Sequence, residues 1–421
     1  MTPIDNAALV RATGGEPEWR AAARRHARER VEGRAMPSNR DELWRYVDLD
    51  FELADYRVVD EPGDAPDAIG IVDEAPEVVV VDGIAVASSP SRAGLTMGSL
   101  AAAVADGRPG VDTVLAPSMA ADGDVFAAAH TAFGGDGAIV HAARNTNTQP
   151  VLVRLHTATA GSISYPTVLV MAEENALASV VVDATSAEVD AVTVPHIEVA
   201  AAPGATVRLS VVQHLGSQVR QIGTLRAAVD RDASAVMAEA GLGGSLARLH
   251  LIVDLHGRGS SATVNGVYFG DRSQVLDYRY FMHHAGLDTS SDMFLKGAVE
   301  DEALSVFTGL IRIDEGAQRT NAFQTNRNLI LSDGAAAQSV PNLEILANDV
   351  KCGHASSVGP LDQEQRYYLM SRGLDPAQAD RLQVRGFFEQ ALARFPHPEV
   401  TASLRVWINA KYVTAQLEGR V

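Results

Sequence analysis

The hydrophobic pattern changes character along the chain. From Glu18 to Val31 the sequence is rich in Ala, Arg and Glu with few β-branched residues, which predicts a helix. Glu77 to Val86 reads as a short strand pair turned at Asp82-Gly83. Asp60 to Asp67, with its acidic residues, two Pro and a Gly, predicts an exposed loop. From Gly137 onward β-branched runs take over: Val151 to Leu155, Val168 to Met171, Ser179 to Val182, Thr206 to Val212, Thr263 to Tyr268, Ser305 to Ile313 and Asn328 to Leu331.

These runs repeat. A polar or Gly-containing turn followed by Ala and a β run occurs at Asp136-Gly137-Ala138, Glu174-Asn175-Ala176, Pro203-Gly204-Ala205, Arg231-Asp232-Ala233 and Ser260-Ser261-Ala262, and more loosely at Ala303 and Ala335. The steps from Ala176 to Ala262 are 29, 28 and 29 residues, nearly constant where an irregular β fold would scatter. Such a coil holds two short strands and two turns, and stacking pairs each strand with its counterpart one turn on. The fold class expected is mainly β: a parallel β-helix with two strands per turn and helical regions at both ends. A β-sandwich of unrelated strands is the alternative. The organisation expected is residues 1–136 as a mixed, largely helical region, 137–358 as the β-helix core and 359–421 as a C-terminal helical region. In the last, Asp375-Pro376-Ala377-Gln378 has an N-cap acceptor, Pro at the first helical position and the Gln of a capping box, followed by an apolar face of Leu382, Phe388, Leu392 and Phe395. Pro396 and Pro398 end that helix, and a second, about Glu399 to Lys411, is expected to bury some of Leu404, Trp407 and Ile408.

Charge narrows the partners. The 421 residues carry 53 acidic against 35 basic groups, a formal charge of −18, which repels phosphate backbones and argues against nucleic acid. Lys occurs only at Lys296, Lys351 and Lys411. No run of about 18 apolar residues and no secretory core near the start is found, so no membrane and a cytoplasmic location are expected. A single cysteine, Cys352, excludes an intramolecular disulfide and any all-cysteine metal centre.

Several motifs invite chemistry. Gly257-Arg258-Gly259-Ser260-Ser261-Ala262 fits a permissive dinucleotide fingerprint, but β-branched Thr263 and Val264 and the Asn265-Gly266 pair follow where a helix would have to begin. No Lys is preceded by Gly, which removes a P-loop. His250 and His256 on one strand would stand about 20 Å apart, and His283 and His284 would face opposite sides, so ordinary hydrogen-bonded histidines are expected. Cys352-Gly353-His354 differs: residues two apart in an extended segment project to one side about 6.6 Å apart, with Gly353 leaving the space between them open, so thiolate and imidazole can approach one soft metal. Two ligands are incomplete for iron, which implies donors from a partner chain.

The stretch Gln318 to Ala335 (QRTNAFQTNRNLILSDGA) resembles the core signature of the SufB/SufD family of iron–sulfur cluster assembly proteins. The stretch Pro341 to His354, with Gly359-Pro360-Leu361-Asp362 and Ser371-Arg372-Gly373, resembles the SufD branch; SufB carries an acidic-His-acidic segment there. Arg40 to Tyr46, Thr131-Ala132-Phe133 and Asp136-Gly137 extend the likeness more weakly. The resemblance implies a scaffold rather than an enzyme, pairing with SufB, with each chain binding a copy of the SufC ATPase through its C-terminal helical region. It implies a transient iron–sulfur cluster or iron at the subunit interface and none permanently bound. His354 is then the residue at that interface, facing a Cys of SufB, with Cys352 also on the SufD pattern; Cys-Gly-His replaces the more usual Cys-Ser-His. A homodimer in isolation stays open, and a carbohydrate-active β-helix enzyme is the alternative of a different class.

Overall fold

The structure, a computed structural model, describes residues 16–32, 34–66, 71–72, 74–120 and 123–417. Helix α1 (Glu18–Glu32) forms where the Ala-, Arg- and Glu-rich segment predicts it. Strands β1 (Glu77–Val81) and β2 (Ile84–Ser88) make the expected hairpin, turning at Asp82 and Gly83 with φ of 48° and 87°. Strand β3 (Leu95–Ser99) and helices α2 (Leu100–Ala105), α3 (Val111–Ala120) and α4 (Val125–Phe133) follow.

From β4 (Gly137–Ala142) the chain alternates between two sheets. One takes β5 (Val151–Thr157), β8 (Leu177–Ser186), β11 (Thr206–His214), β13 (Ser234–Gly241), β15 (Ser261–Gly270), β17 (Ser290–Val299), β19 (Asn321–Ile330) and β21 (Lys351–Gly359). The other takes β4, β7 (Thr167–Ala172), β10 (His196–Ala201), β12 (Val219–Val229), β14 (Leu246–Leu255), β16 (Val275–His284), β18 (Leu304–Ile313) and β20 (Ala336–Ile345). Short strands β6 (Ile163–Ser164) and β9 (Ala191–Thr193) extend the second sheet. Every pairing between successive coils is parallel, giving a β-helix of about eight turns with two main strands per turn.

The repeat has a backbone cause. One residue per coil takes a left-handed conformation at the corner leading into the first sheet: Asn145, Asn175, Gly204, Asp232, Gly259, Asp288 and Arg319, with φ between 56° and 72°. Each donates its N–H to a carbonyl at the next coil's corner, as Asn175 does to Pro203 and Asp288 to Gln318. Gly, Asn and Asp tolerate this region best, which explains the polar turn before each Ala. The Ala residues are buried, but not all at one corner. Ala176, Ala205 and Ala233 each follow the left-handed residue into the first sheet; in the next coil buried Ser260 holds that place and Ala262 stands in register with Ala235, whereas Ala138, Ala303 and Ala335 belong to the second sheet. The dinucleotide-like run lies at one of these corners and opens strand β15, not a helix.

The two ends of the coil differ. At the start, β2 lies antiparallel to β1, itself paired with β5, and β3 lies antiparallel to β4. At the finish, among the described residues, β20 and β21 each have a single neighbour, β18 and β19, so both sheets end in an unpaired edge.

Helices α5 (Gln363–Ser371), α6 (Pro376–Leu392) and α7 (Pro398–Leu417) complete the described chain. Asp375 and Gln378 form the predicted reciprocal capping box. Val384, Phe388, Leu392, Phe395, Leu404 and Ile408 bury against Val181, Val212, Ala240 and Phe269 on the outer face of the first sheet. Leu382, expected on that face, is instead exposed. Among the described residues no helix is long and apolar enough to cross a membrane.

Candidate functional site at the open end of the coil

Alternation along β19 fixes which way β21 faces. Ala322, Gln324, Asn326 and Asn328 are buried while Phe323 and Arg327 are exposed. In a parallel pair residues in register share a face, and Cys352, His354, Ser356 and Val358 stand over those four buried positions. They therefore face the interior of the coil at its last rung. Across the interior, Ser356 Oγ donates to Ser339 Oγ of β20 at 2.8 Å.

Cys352 and His354 thus share one face, as their spacing predicts, yet differ in environment. Cys352 is half-buried against the apolar core, and that burial pushes its thiol up from the ordinary range, so it is a neutral thiol near pH 7. His354 is exposed, and among the described residues no side chain hydrogen-bonds to its ring. Gly353 does not serve the gap between them. It faces outward, where a Cβ would press on the Phe323 ring, 3.1 Å from its nearest carbon. Lys351 also faces outward and is exposed, away from the thiol.

Beneath this rung lies a polar chain that the sequence reading does not single out. Tyr268 Oη donates to Asn328 Oδ1 at 2.7 Å and accepts from Asn326 Nδ2 at 2.9 Å. Asn328 Nδ2 and Ser339 Oγ both donate to Asn326 Oδ1 at 2.7 Å, and Ser339 passes the chain on to Ser356. Gln324 spans the interior and donates to the Asn342 carbonyl at 3.0 Å. These bonds tie β15, β19, β20 and β21 together across the interior and hold Ser356, two residues from His354, in place. The available signal was the alternation Gln324, Asn326, Asn328: polar residues at the inward positions of a strand are unusual and need partners.

His283 and His284 face opposite sides of their strand, as their adjacency predicts. His283 faces outward between Asp254 at 3.1 Å and Asp314 at 2.9 Å, and His284 is buried between the hydroxyls of Thr289 and Ser291, its pKa lowered to about 4 by burial. Among the described residues no group of three or more His, Cys, Asp and Glu is placed to hold a metal ion. The last rung therefore offers at most two protein donors, open to whatever covers the edge.

The model of the family described as "SUF system FeS cluster assembly, SufBD core domain" matches residues 154–387, from β5 into α6. An iron-sulfur cluster assembly SufBD family protein of Mycobacterium tuberculosis is 43% identical over 171 residues, covering 39% of this chain and 43% of that protein. The iron-sulfur cluster assembly protein SufD of Escherichia coli is 34% identical over 156 residues, 37% of each chain. SufD of Bacillus subtilis is 36% identical over 143 residues, 34% of this chain and 33% of that one. The aligned segment spans less than half the length of each of these relatives. With the family model covering more than half of the sequence, including both strands of the open end, the chain belongs to the SufBD family.

Proposed function

We propose that this chain is a non-enzymatic scaffold subunit of SUF iron–sulfur cluster assembly that pairs with SufB through the open end of its β-helix. In this reading β2 and β3 of the 1–136 region cover the start of the coil and its Trp44 and α4 pack on the second sheet, 137–358 form the rigid coil and 359–421 are the docking module for SufC. His354, with Cys352 beside it, contacts iron or a nascent cluster whose other ligands come from SufB. The observation that carries the reading is that, among the described residues, β20 and β21 each pair on one edge only at one end of the coil and no side chain hydrogen-bonds to the exposed His354 ring there. Long unpaired edges are ready templates for another chain, and Phe323, Ile345, Leu346 and Val358 add exposed apolar surface around them.

The C-terminal module fits a role in transmitting motion. Helix α5 buries none of its residues and exposes Tyr367 and Tyr368, a surface suited to a partner. Helices α6 and α7 pack on the coil through their apolar face, and polar anchors add to that hold: Lys296 to Gln390, Arg394 to Asp292, and Lys411 to Asp271, Gln274 and the Leu242 carbonyl. Nucleotide-driven approach of two SufC copies would pull on these modules and change access to the site between the scaffold chains.

Co-purification with SufB and SufC, followed by anaerobic spectroscopy, tests the proposal. A stable complex holding a cluster is expected, and His354→Ala should lose the cluster while keeping the complex. Undiminished cluster formation by His354→Ala would remove the ligand role. A homodimer is favoured over the SufB pairing only if mass measurement shows a self-pair that persists after SufB is added. Turnover of polysaccharide by the isolated chain would instead support the carbohydrate-active alternative.

A further inference from the structure

A second group of imidazoles lies far from the open end of the coil. Between the outer face of the second sheet and the N-terminal elements is a half-open cavity of about 830 Å³. Trp44 and Phe126 form part of its apolar wall, and His130 of α4 and His196 of β10 both line it. Their ring centres are 5.2 Å apart and the rings are tilted by 40°.

The hydrogen bonds assign one lone pair to each ring. His130 Nε2 lies 3.3 Å from the Pro166 carbonyl, which only accepts, so that nitrogen carries the proton. Thr167 Oγ1 is also 3.3 Å away. His196 Nε2 lies 2.8 Å from a Glu198 carboxylate oxygen and 3.0 Å from Ser118 Oγ, and the carboxylate again requires a proton on Nε2. With Nε2 engaged in each ring, Nδ1 is the nitrogen left to ligate, and among the described residues neither Nδ1 has a side-chain or backbone hydrogen-bond partner. A carbonyl or carboxylate holding one ring nitrogen while the other is left unpartnered is the usual support behind a metal-ligating histidine.

The spacing agrees. With a metal–nitrogen bond of about 2.1 Å and about 1.1 Å from nitrogen to ring centre, two imidazoles at a tetrahedral angle have centres about 5.2 Å apart. We propose that His130 and His196 form a two-histidine site for a divalent first-row transition ion, with water filling the remaining positions from the cavity. Neutral imidazole suits iron, cobalt and zinc alike. Naming ferrous iron as the natural occupant rests on the iron–sulfur assembly reading above; the site itself does not. His250 also lines the cavity, but His196, Thr224 and His250 occupy successive rungs, which puts His250 about 10 Å from His196 and outside the pair.

The test uses the full-length chain carrying His354→Ala, so that the open end contributes no imidazole. Anaerobic titration with Co²⁺, followed by visible absorption and equilibrium dialysis, should show one saturable site. His196→Gln should abolish it, and Glu198→Gln should weaken it by about tenfold through loss of the carboxylate support, with thermal melts showing both variants folded. His250→Gln should leave it unchanged. No saturable binding at millimolar Co²⁺, or binding unaffected by His196→Gln in a folded protein, overturns the site. Loss of binding in His250→Gln would overturn the assignment of the pair. Fe²⁺ in large excess should compete for the site, as the weaker-binding of the two ions; no competition at millimolar Fe²⁺ overturns the iron assignment. Because none of these measurements needs SufB or a cluster, they stand apart from any failure of the scaffold reading.

Discussion

Acid should loosen the C-terminal module from the coil through one imidazole. His397, at the joint between α6 and α7, is 2% exposed. Its Nε2 lies 3.0 Å from Ser179 Oγ on β8 and its Nδ1 2.7 Å from Ser210 Oγ on β11. Burial lowers its pKa to about 4, opposed in part by Glu399 and reinforced by Arg208. In the unfolded chain it titrates near 6.5. A base depressed in the folded state contributes its full stability above the unfolded pKa and loses it as pH falls toward the folded value. Between about pH 7.5 and pH 5 the linkage relation gives a loss of roughly 2 kcal/mol, approaching about 3 kcal/mol at lower pH. Native-state hydrogen exchange, corrected for intrinsic rates, would read this as easier opening of the α6 and α7 amides at the lower pH. His397→Gln should lose most of that pH dependence while His214, stacked on Trp407, titrates in both proteins and cancels from the comparison. The same drop in His397→Gln as in the parent, or no drop in the parent, would refute the reasoning.

Three further outcomes are expected. Glu239 is buried in the coil interior, accepts a hydrogen bond from Tyr280 at 3.3 Å, and has its pKa raised to about 8 by burial. An acid raised in this way contributes fully below its unfolded pKa and loses that contribution as pH rises from there to about 8, so Glu239→Gln should gain roughly 3 kcal/mol near neutral pH and less in acid, measured by urea unfolding. Gly297→Ala should cost about 1–3 kcal/mol in the same assay, because the added Cβ would overlap the buried Tyr268 ring and the Asn328 amide. Phe388→Ala, which empties a fully buried site stacked on Phe269, should cost about 3–5 kcal/mol and appear first as earlier proteolysis of α6 and α7.

Local rules carried the sequence reading a long way where the fold is locally periodic. The steps from Ala176 to Ala205 and Ala233 revealed the coil because a left-handed residue followed by a small buried one recurs at these corners; in the next coil Ser260, not Ala262, holds that place. The Asp375 capping box was legible because both partners lie within one helical turn. The antiparallel strands β2 and β3 that close the starting end were harder, since their place depends on β1 and β4 far along the chain. At the open end, the shared face of Cys352 and His354 followed from spacing alone. The role of Gly353 did not, because the Phe323 ring it accommodates comes from the previous coil. The pairing of His130 with His196 was illegible for the same reason: one sits on a helix and the other on a strand, and only the packing of α4 on the second sheet joins them.

The column of left-handed corners also limits how such a molecule can change in length. Each corner bonds to the corner above it, so a duplication or deletion of one complete coil leaves every remaining contact equivalent to one already present. A single added residue within a strand would instead turn its inward side chains to solvent from that point to the next corner. Growth of this architecture is therefore modular, in steps of nearly thirty residues, while smaller insertions are confined to the corners.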